Sequence, residues 1–209
     1  ANVPDSSPYA EGLHILGVLR GTGNGFELRR IPTRAEMLVM VIRLLGKEQE
    51  ALENTYSHPF EDTKWEESYV AYAYNHSIVK GISANSFGGN LEASMREYCT
   101  MLLRVLGYSD SDGDFSFQDA VSFASLVLGE PLNELEKFDR GKMAELTCFA
   151  LNSRKKGSAK TLGQILAEQG VFTQKQLNDA RRCWEQKKDF KSAIVIYIKY
   201  SFLCYIIFG

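Results

Sequence analysis

Apolar residues recur at helical spacing along most of the chain, and breaks of glycine, proline and polar residues set them off. Leu13, Ile15, Leu16 and Leu19 supply one face of a first helix, which the glycines of Gly21-Thr22-Gly23-Asn24-Gly25 end. Phe26 anchors a short extended piece, and Pro32 precedes a second helix. Thr33 and Glu36 form a capping box at its start: the threonine hydroxyl takes an amide three residues on, and the glutamate reaches back. Leu38, Val41, Ile42 and Leu45 follow on one face, and Gly46 stops the run.

The order then repeats. Trp65–Val79 predicts a helix rich in Tyr and Ala, and Lys80-Gly81 breaks it. Phe87 takes the place of Phe26, and Ser94 with Glu97 forms a second capping box. Cys99, Leu102, Leu103 and Leu106 line the next apolar face, up to Gly107. Glu36 and Glu97, Arg43 and Arg104, and Gly46 and Gly107 are each 61 residues apart. A weaker third copy predicts a helix over Phe117–Leu128, a break at Gly129, an N-cap at Asp139, and a face of Met143, Leu146, Phe149 and Ala150. Units of this size cannot bury an apolar face alone, so three of them should share a core. The resulting division is a lead-in at 1–8, repeats at 9–48, 56–108 and 114–152, and an extension at 153–209.

The extension opens with a basic loop from Arg154 to Lys160. A short helix from Thr161 to Gln169 and another from Thr173, its cap, to Lys187 follow. Ala193–Phe208 is strongly apolar around Lys199. It is too short and interrupted for a membrane span, and its β-branched and aromatic content suits a strand or hairpin at a buried edge or a partner contact.

At 209 residues with a formal charge of −2, the chain can bury a sizeable core and carries no field that would attract nucleic acid. Cys99, Cys148, Cys183 and Cys204 fit neither a zinc nor a redox spacing, and Cys99 and Cys148 read as core residues. His14, His58 and His76 are isolated. Asp110-Ser111-Asp112-Gly113-Asp114 looks like the start of a calcium loop. However, its glycine falls at position four and Val121 stands where an EF-hand needs Glu, so an Asx-type turn is expected. There is no GxSxG, P-loop or HExxH. The chain is therefore expected to be non-enzymatic and to need no cofactor or metal.

The recurring elements resemble the S-layer homology (SLH) family. Repeat one supplies Gly17-Val18-Leu19-Arg20-Gly21, Phe26, Thr33-Arg34-Ala35-Glu36 and Leu45-Gly46. Repeat two supplies Phe60, Asp62, Trp65, Ile78-Val79-Lys80-Gly81, Phe87, Ser94-Met95-Arg96-Glu97 and Leu106-Gly107. The resemblance covers residues 9 to 152. It implies a mainly α fold, a pseudo-threefold helical spindle of three helix–loop–helix repeats. It also implies a non-catalytic module that attaches an exported bacterial protein to the cell wall. The implied ligand is a secondary cell-wall polysaccharide carrying acidic pyruvyl ketals, bound in grooves between repeats. The implied location is extracellular, at the cell wall or S-layer, after removal of a signal peptide; Ala1–Asp5 shows no signal segment and reads as a mature start.

The residues suit that ligand. Arg34 lies at a helix N-terminus, where guanidinium and backbone dipole both favour an anion. Arg20-Gly21 and Lys80-Gly81 set a cation beside a glycine that permits close backbone approach. Trp65 and nearby Tyr69 or Tyr72 offer apolar faces to sugar rings while keeping a polar edge. The copies also depart from one another. Met95 stands where the arginine belongs and Arg96 follows it, about 100° around the helix. Arg140 keeps the arginine, but Lys142 replaces the glutamate and removes half of the capping box. The expectation is one good groove at Arg34, a doubtful one at Arg96 and an altered one at Arg140. The alternative is a degenerate SLH-like scaffold serving protein contacts or assembly, with self-association through the apolar tail.

Overall fold

The computed structural model describes residues 7–53 and 55–185. The apolar stretch Ala193–Phe208 and the opening residues to Ser6 lie outside them. Within them the fold is mainly α, with isolated β-bridges only. The helices are α1 (Pro8–Ile15), α2 (Arg34–Leu44), α3 (Glu48–Glu53), α4 (Glu67–Asn75), α5 (Met95–Val105), α6 (Ala120–Leu128), α7 (Arg140–Asn152) and α8 (Leu162–Glu168). Residues 174–185 are also helical.

Local chemistry explains the boundaries. Both capping boxes form at the starts of α2 and α5, where Thr33 and Ser94 accept from the amides of Glu36 and Glu97. Asp139 caps α7 by accepting from the Lys142 amide alone. Two helices are shorter than the apolar spacing predicts. α4 ends at Asn75 because Ser77 turns to a positive φ of 57° and the Ile78 amide folds back onto the Ala73 carbonyl. α6 starts at Ala120 because Ser116–Asp119 closes a turn, with the Asp119 amide donating to the Ser116 carbonyl. Around Phe26 the expected extended piece is only a Thr22–Gly25 bridge. α3, which periodicity does not predict, is held by Ala51 in the core and by ion pairs of Glu48 with Arg20 and Arg43.

The helices pack in a cycle. α4 of the second repeat packs on α2 of the first, α6 of the third on α5 of the second, and α1 of the first on α7 of the third. Each capped helix is thus covered by the first helix of the next copy, and the third copy closes back onto the first. One core results, including Leu38, Ile42, Leu102, Leu103 and Leu146. Deleting any one of these side chains to Ala should cost about 2–5 kcal/mol. Cys99 and Cys148 are buried in it; burial pushes the Cys99 thiol up to about 12 and Cys148 also upward.

The extension belongs to the same core through Leu162, Leu166, Phe172, Leu177 and Trp184. It covers the ends where the repeat helices stop. Val171 packs on Gly46, the Lys156 amide donates to the Leu106 carbonyl, and Gln176 Nε2 donates to the Ile15 carbonyl. Trp184 lies where a Cβ on Gly12 would collide with it.

Candidate functional site

Two grooves of the same construction lie between copies. The first, about 370 Å³, is lined by Arg20, Gly21, Glu36, Arg43, Trp65 and Arg140, among others. The second, about 410 Å³, is lined by Arg34, Lys80, Gly81, Glu97, Arg104, Asp110 and Phe117, among others. Residue for residue they correspond: Glu36 and Glu97, Met40 and Met101, and Arg43 and Arg104 at 61 positions, Gly21 and Gly81 at 60. Each groove takes its loop and capped helix from one copy, its helix-start arginine from the preceding copy, and an aromatic residue from the following one.

The structure therefore divides the expected site residues. Arg34, Lys80 and Gly81 meet in one groove; Arg20, Gly21, Trp65 and Arg140 meet in the other. Trp65 is 59% exposed at the groove of Arg140, not that of Arg34, whereas Tyr69 and Tyr72 are buried in the core and line neither groove. Arg96 leaves the groove line as its helical rotation requires. It forks onto Glu134 at 2.7 and 2.8 Å and lies over the Phe117 ring.

The two helix-start arginines are buried clamps. Arg34 is 5% exposed. Its Nε donates to the Phe87 carbonyl at 3.0 Å, its Nη1 to Glu97, and its guanidinium lies over the Phe87 ring. Arg140 is 7% exposed and repeats the move one interface on, its Nε donating to the Phe26 carbonyl at 2.9 Å. The adjoining backbone matches. Arg34 and Ala35 amides donate to the Leu91 and Gly89 carbonyls, and Arg140 and Gly141 amides to those of Arg30 and Leu28. Both helix N-termini, including the one at Arg34 that the sequence reading gives to an anion, are filled by loop carbonyls of the next copy. The Arg34 side chain is likewise committed to protein partners.

Gly81 also has a structural reason. A Cβ there would collide with the Phe60 ring and the carbonyls of Ser83 and Ser86, so the close approach is made by the chain itself. Gly21 is held less tightly, with the Gly25 carbonyl 3.3 Å from its would-be Cβ. Asp62 holds the same loop, accepting from the amides of Phe87 and Gly88 and from Ser86 Oγ. These bonds, the one from Ser86 foremost, pull its carboxyl down to about 2.

The exposed cations sit on a repeated triad that sequence reasoning left out. Glu48 holds Arg20 and Arg43 at 2.6 and 2.7 Å. Asp110 holds Lys80 at 2.7 Å and Arg104 bidentately at 2.9 and 2.8 Å. The Arg104 fork, with Lys80 beside it, keeps the Asp110 carboxyl well below the usual range. For Glu48 burial is the largest single influence and pulls upward, but the Arg43 bond, the charges of Arg43 and Arg20 and the Tyr69 hydroxyl together bring the net shift down. The register of Arg43 with Arg104 was the signal available for this triad. In the Arg34 groove Arg34, Lys80 and Arg104 face Glu97 and Asp110, leaving one positive charge in excess. At the other, Arg20, Arg43 and Arg140 face Glu36 and Glu48, and Arg30 also forks onto Glu36 at 2.8 and 2.6 Å, so the excess is larger. The Asp110 loop thus spends two of its three carboxylates on cations: beside Asp110, Asp114 pairs with Lys156 and accepts from the Ser109 amide, the turn expected of it. Among the described residues no acidic, His and Cys cluster is arranged to hold a metal.

The third place in the cycle is rebuilt. Met95 occupies the arginine position and is buried, Lys142 the glutamate position, and Phe149 the position of Arg43 and Arg104. Lys142 pairs with Glu136 and Glu145, and Phe149 meets Tyr9 edge-on.

No protein-family model matches the chain. It is similar to a middle cell wall protein of Brevibacillus brevis, 34% identical over 111 residues that make up 51% of this chain and 10% of that one. A surface layer protein of Brevibacillus choshinensis is 35% identical over 47% of this chain and 9% of its own. A cell surface protein of Thermoanaerobacter kivui is 28% identical over 72% of this chain and 21% of its own. The chain thus spans about a tenth to a fifth of the length of these relatives. No helix of the described residues is long and apolar enough to cross a membrane. The chain is related to bacterial surface-layer and cell-wall proteins, and the likeness supports a role at the cell surface.

Proposed function

We propose that this chain is a non-catalytic SLH-type module that binds an acidic secondary cell-wall polysaccharide and anchors an exported protein to the bacterial wall. The observation that carries this reading is the repeated groove. Each pairs an excess of positive charge with an exposed aromatic side chain, Trp65 or Phe117, and keeps Arg20 or Lys80 more than half exposed. Cations orient a carboxylate-bearing sugar, and an aromatic face receives its apolar side. Two grooves are competent and the third, at Met95, is closed to this chemistry.

Retention on purified cell-wall sacculi tests it. Arg20→Gln with Lys80→Gln should abolish retention while leaving thermal unfolding unchanged, and stripping the wall polysaccharide should do the same to the wild type. Retention on stripped walls would sink the idea. The second reading, a scaffold for protein contacts, draws on Arg34 and Arg140, whose commitment to inter-repeat contacts serves packing rather than a ligand. Light scattering on the full chain and on a chain cut after residue 185 would support it if only the full chain associates.

A further inference from the structure

The Lys80–Asp110–Arg104 triad has a second concavity on its far side. It is an open hollow of about 930 Å³ between the end of α4 and the loop after α5, and it shares Val79, Lys80, Arg104 and Asp110 with the Arg34 groove. Its charge differs from that of the groove. Lys80 and Arg104 are balanced by Asp110 and Asp112, so it carries no excess. Its walls hold the aromatic side chains Tyr74, His76 and Tyr108.

Each ring is fixed by another. Tyr74, 40% exposed, meets Phe60 edge-on; His76 stacks on Tyr72 at 4.0 Å and meets Tyr56 edge-on; Tyr108 meets Phe123 edge-on and carries the Lys156 ammonium 5.7 Å over its ring. Among the described residues, the hydroxyls of Tyr74 and Tyr108 make no hydrogen bond. Ser77 lines the hollow at a φ of 57°, where the first copy uses Gly17 at 72°. A side chain is therefore carried at a position whose backbone favours glycine. In the first copy the matching surface is taken: Gln176 donates to the Ile15 carbonyl and Val171 packs on Gly46. In the second copy Lys155 and Lys156 pack beside the matching Gly107, yet Asn75 and Gly107 still line a hollow that stays open.

We propose that this hollow is a second glycan subsite. It receives an uncharged pyranose residue next along the chain from the acidic residue held in the Arg34 groove, with the Lys80–Asp110 bridge spanned by the glycosidic link. Preformed aromatic walls with unspent hydroxyls suit a neutral sugar, which presents apolar C–H faces and hydroxyls but no charge. The subsite makes the second groove longer than the first, so the two grooves differ in preferred glycan length.

The inference rests on the polysaccharide-binding reading, and calorimetry with fragments of two lengths separates the two. The probes are a single acidic residue and a fragment several residues long, both released from Brevibacillus choshinensis cell-wall polysaccharide. The wild type should bind the longer fragment about tenfold more tightly at one of its sites, a change typical of a well-packed aromatic contact. Tyr74→Ala with His76→Ala should remove that gain and leave the single residue bound as before. Tyr74→Phe with Tyr108→Phe keeps the rings and should lose part of the gain, with unaltered circular dichroism. Equal affinity for both fragments, or a gain that survives both double variants, overturns the subsite while leaving the groove intact. Failure of both fragments to bind the wild type overturns the polysaccharide reading, and the subsite with it.

Discussion

The interface of the first and second copies and that of the second and third use the same scaffold and opposite chemistry. At the first, Arg34 reaches across to the Phe87 carbonyl and Glu97 and is buried among polar partners. At the second, Met95 fills the same helix position with an apolar side chain, and Lys142 stands where the facing glutamate would be. Both members of the pair changed. A lone arginine facing Lys142, or a lone glutamate facing Met95, would bury an uncompensated charge, which costs more than either the intact pair or an apolar replacement. A capped helix can thus close the cycle with or without the pair. The groove chemistry survives only where the pair does, because the pair brings with it Arg43 or Arg104, which Phe149 replaces in the third copy.

Breaking the paired interface should have the largest effect. Arg34→Ala leaves Glu97 and the Phe87 carbonyl without their partner and should cost about 3 kcal/mol in denaturant unfolding. Unchanged stability would return Arg34 to the role of a pure ligand contact. Converting the apolar interface tests the same logic from the other side. Met95→Arg alone should destabilise by about 2 kcal/mol, and adding Lys142→Glu should recover roughly half of it; purely additive effects would deny the coupling.

A smaller effect is expected at Asp62, which holds the loop that Arg34 grips. Its folded carboxyl titrates at about 2, below the ordinary carboxylate value near 4, so it stabilises the fold when ionised. The wild type should melt a few degrees above Asp62→Asn at pH 7. That advantage should be full above about pH 4 and vanish as pH falls through about 2. Arg96→Ala should be the mildest change, with no measurable shift in melting temperature, since its pair with Glu134 is solvent-exposed.

The capping boxes were legible in sequence because every atom of Thr33–Glu36 and Ser94–Glu97 lies within one turn. α3 was not, since six residues give periodicity too little length to register. The overlong readings of α4 and α6 came from local turns at Ser77 and Ser116 that apolar spacing does not carry. Site residues could be named by type but not assembled. The partner of Arg34 is 63 positions away, so its burial was invisible, and Trp65 reached Arg140 rather than Arg34 only through cyclic packing. The Arg43–Arg104 register was visible as spacing, but its meaning needed Glu48 and Asp110 in space.

If two cationic grooves, and not three, take an acidic glycan, calorimetry with a single acidic residue of wall polysaccharide should read two sites per chain, both weakened by salt, falling to one with Lys80→Gln or with Arg20→Gln and to none with both. Three equal sites, or binding that survives the double substitution, would contradict the two-groove reading.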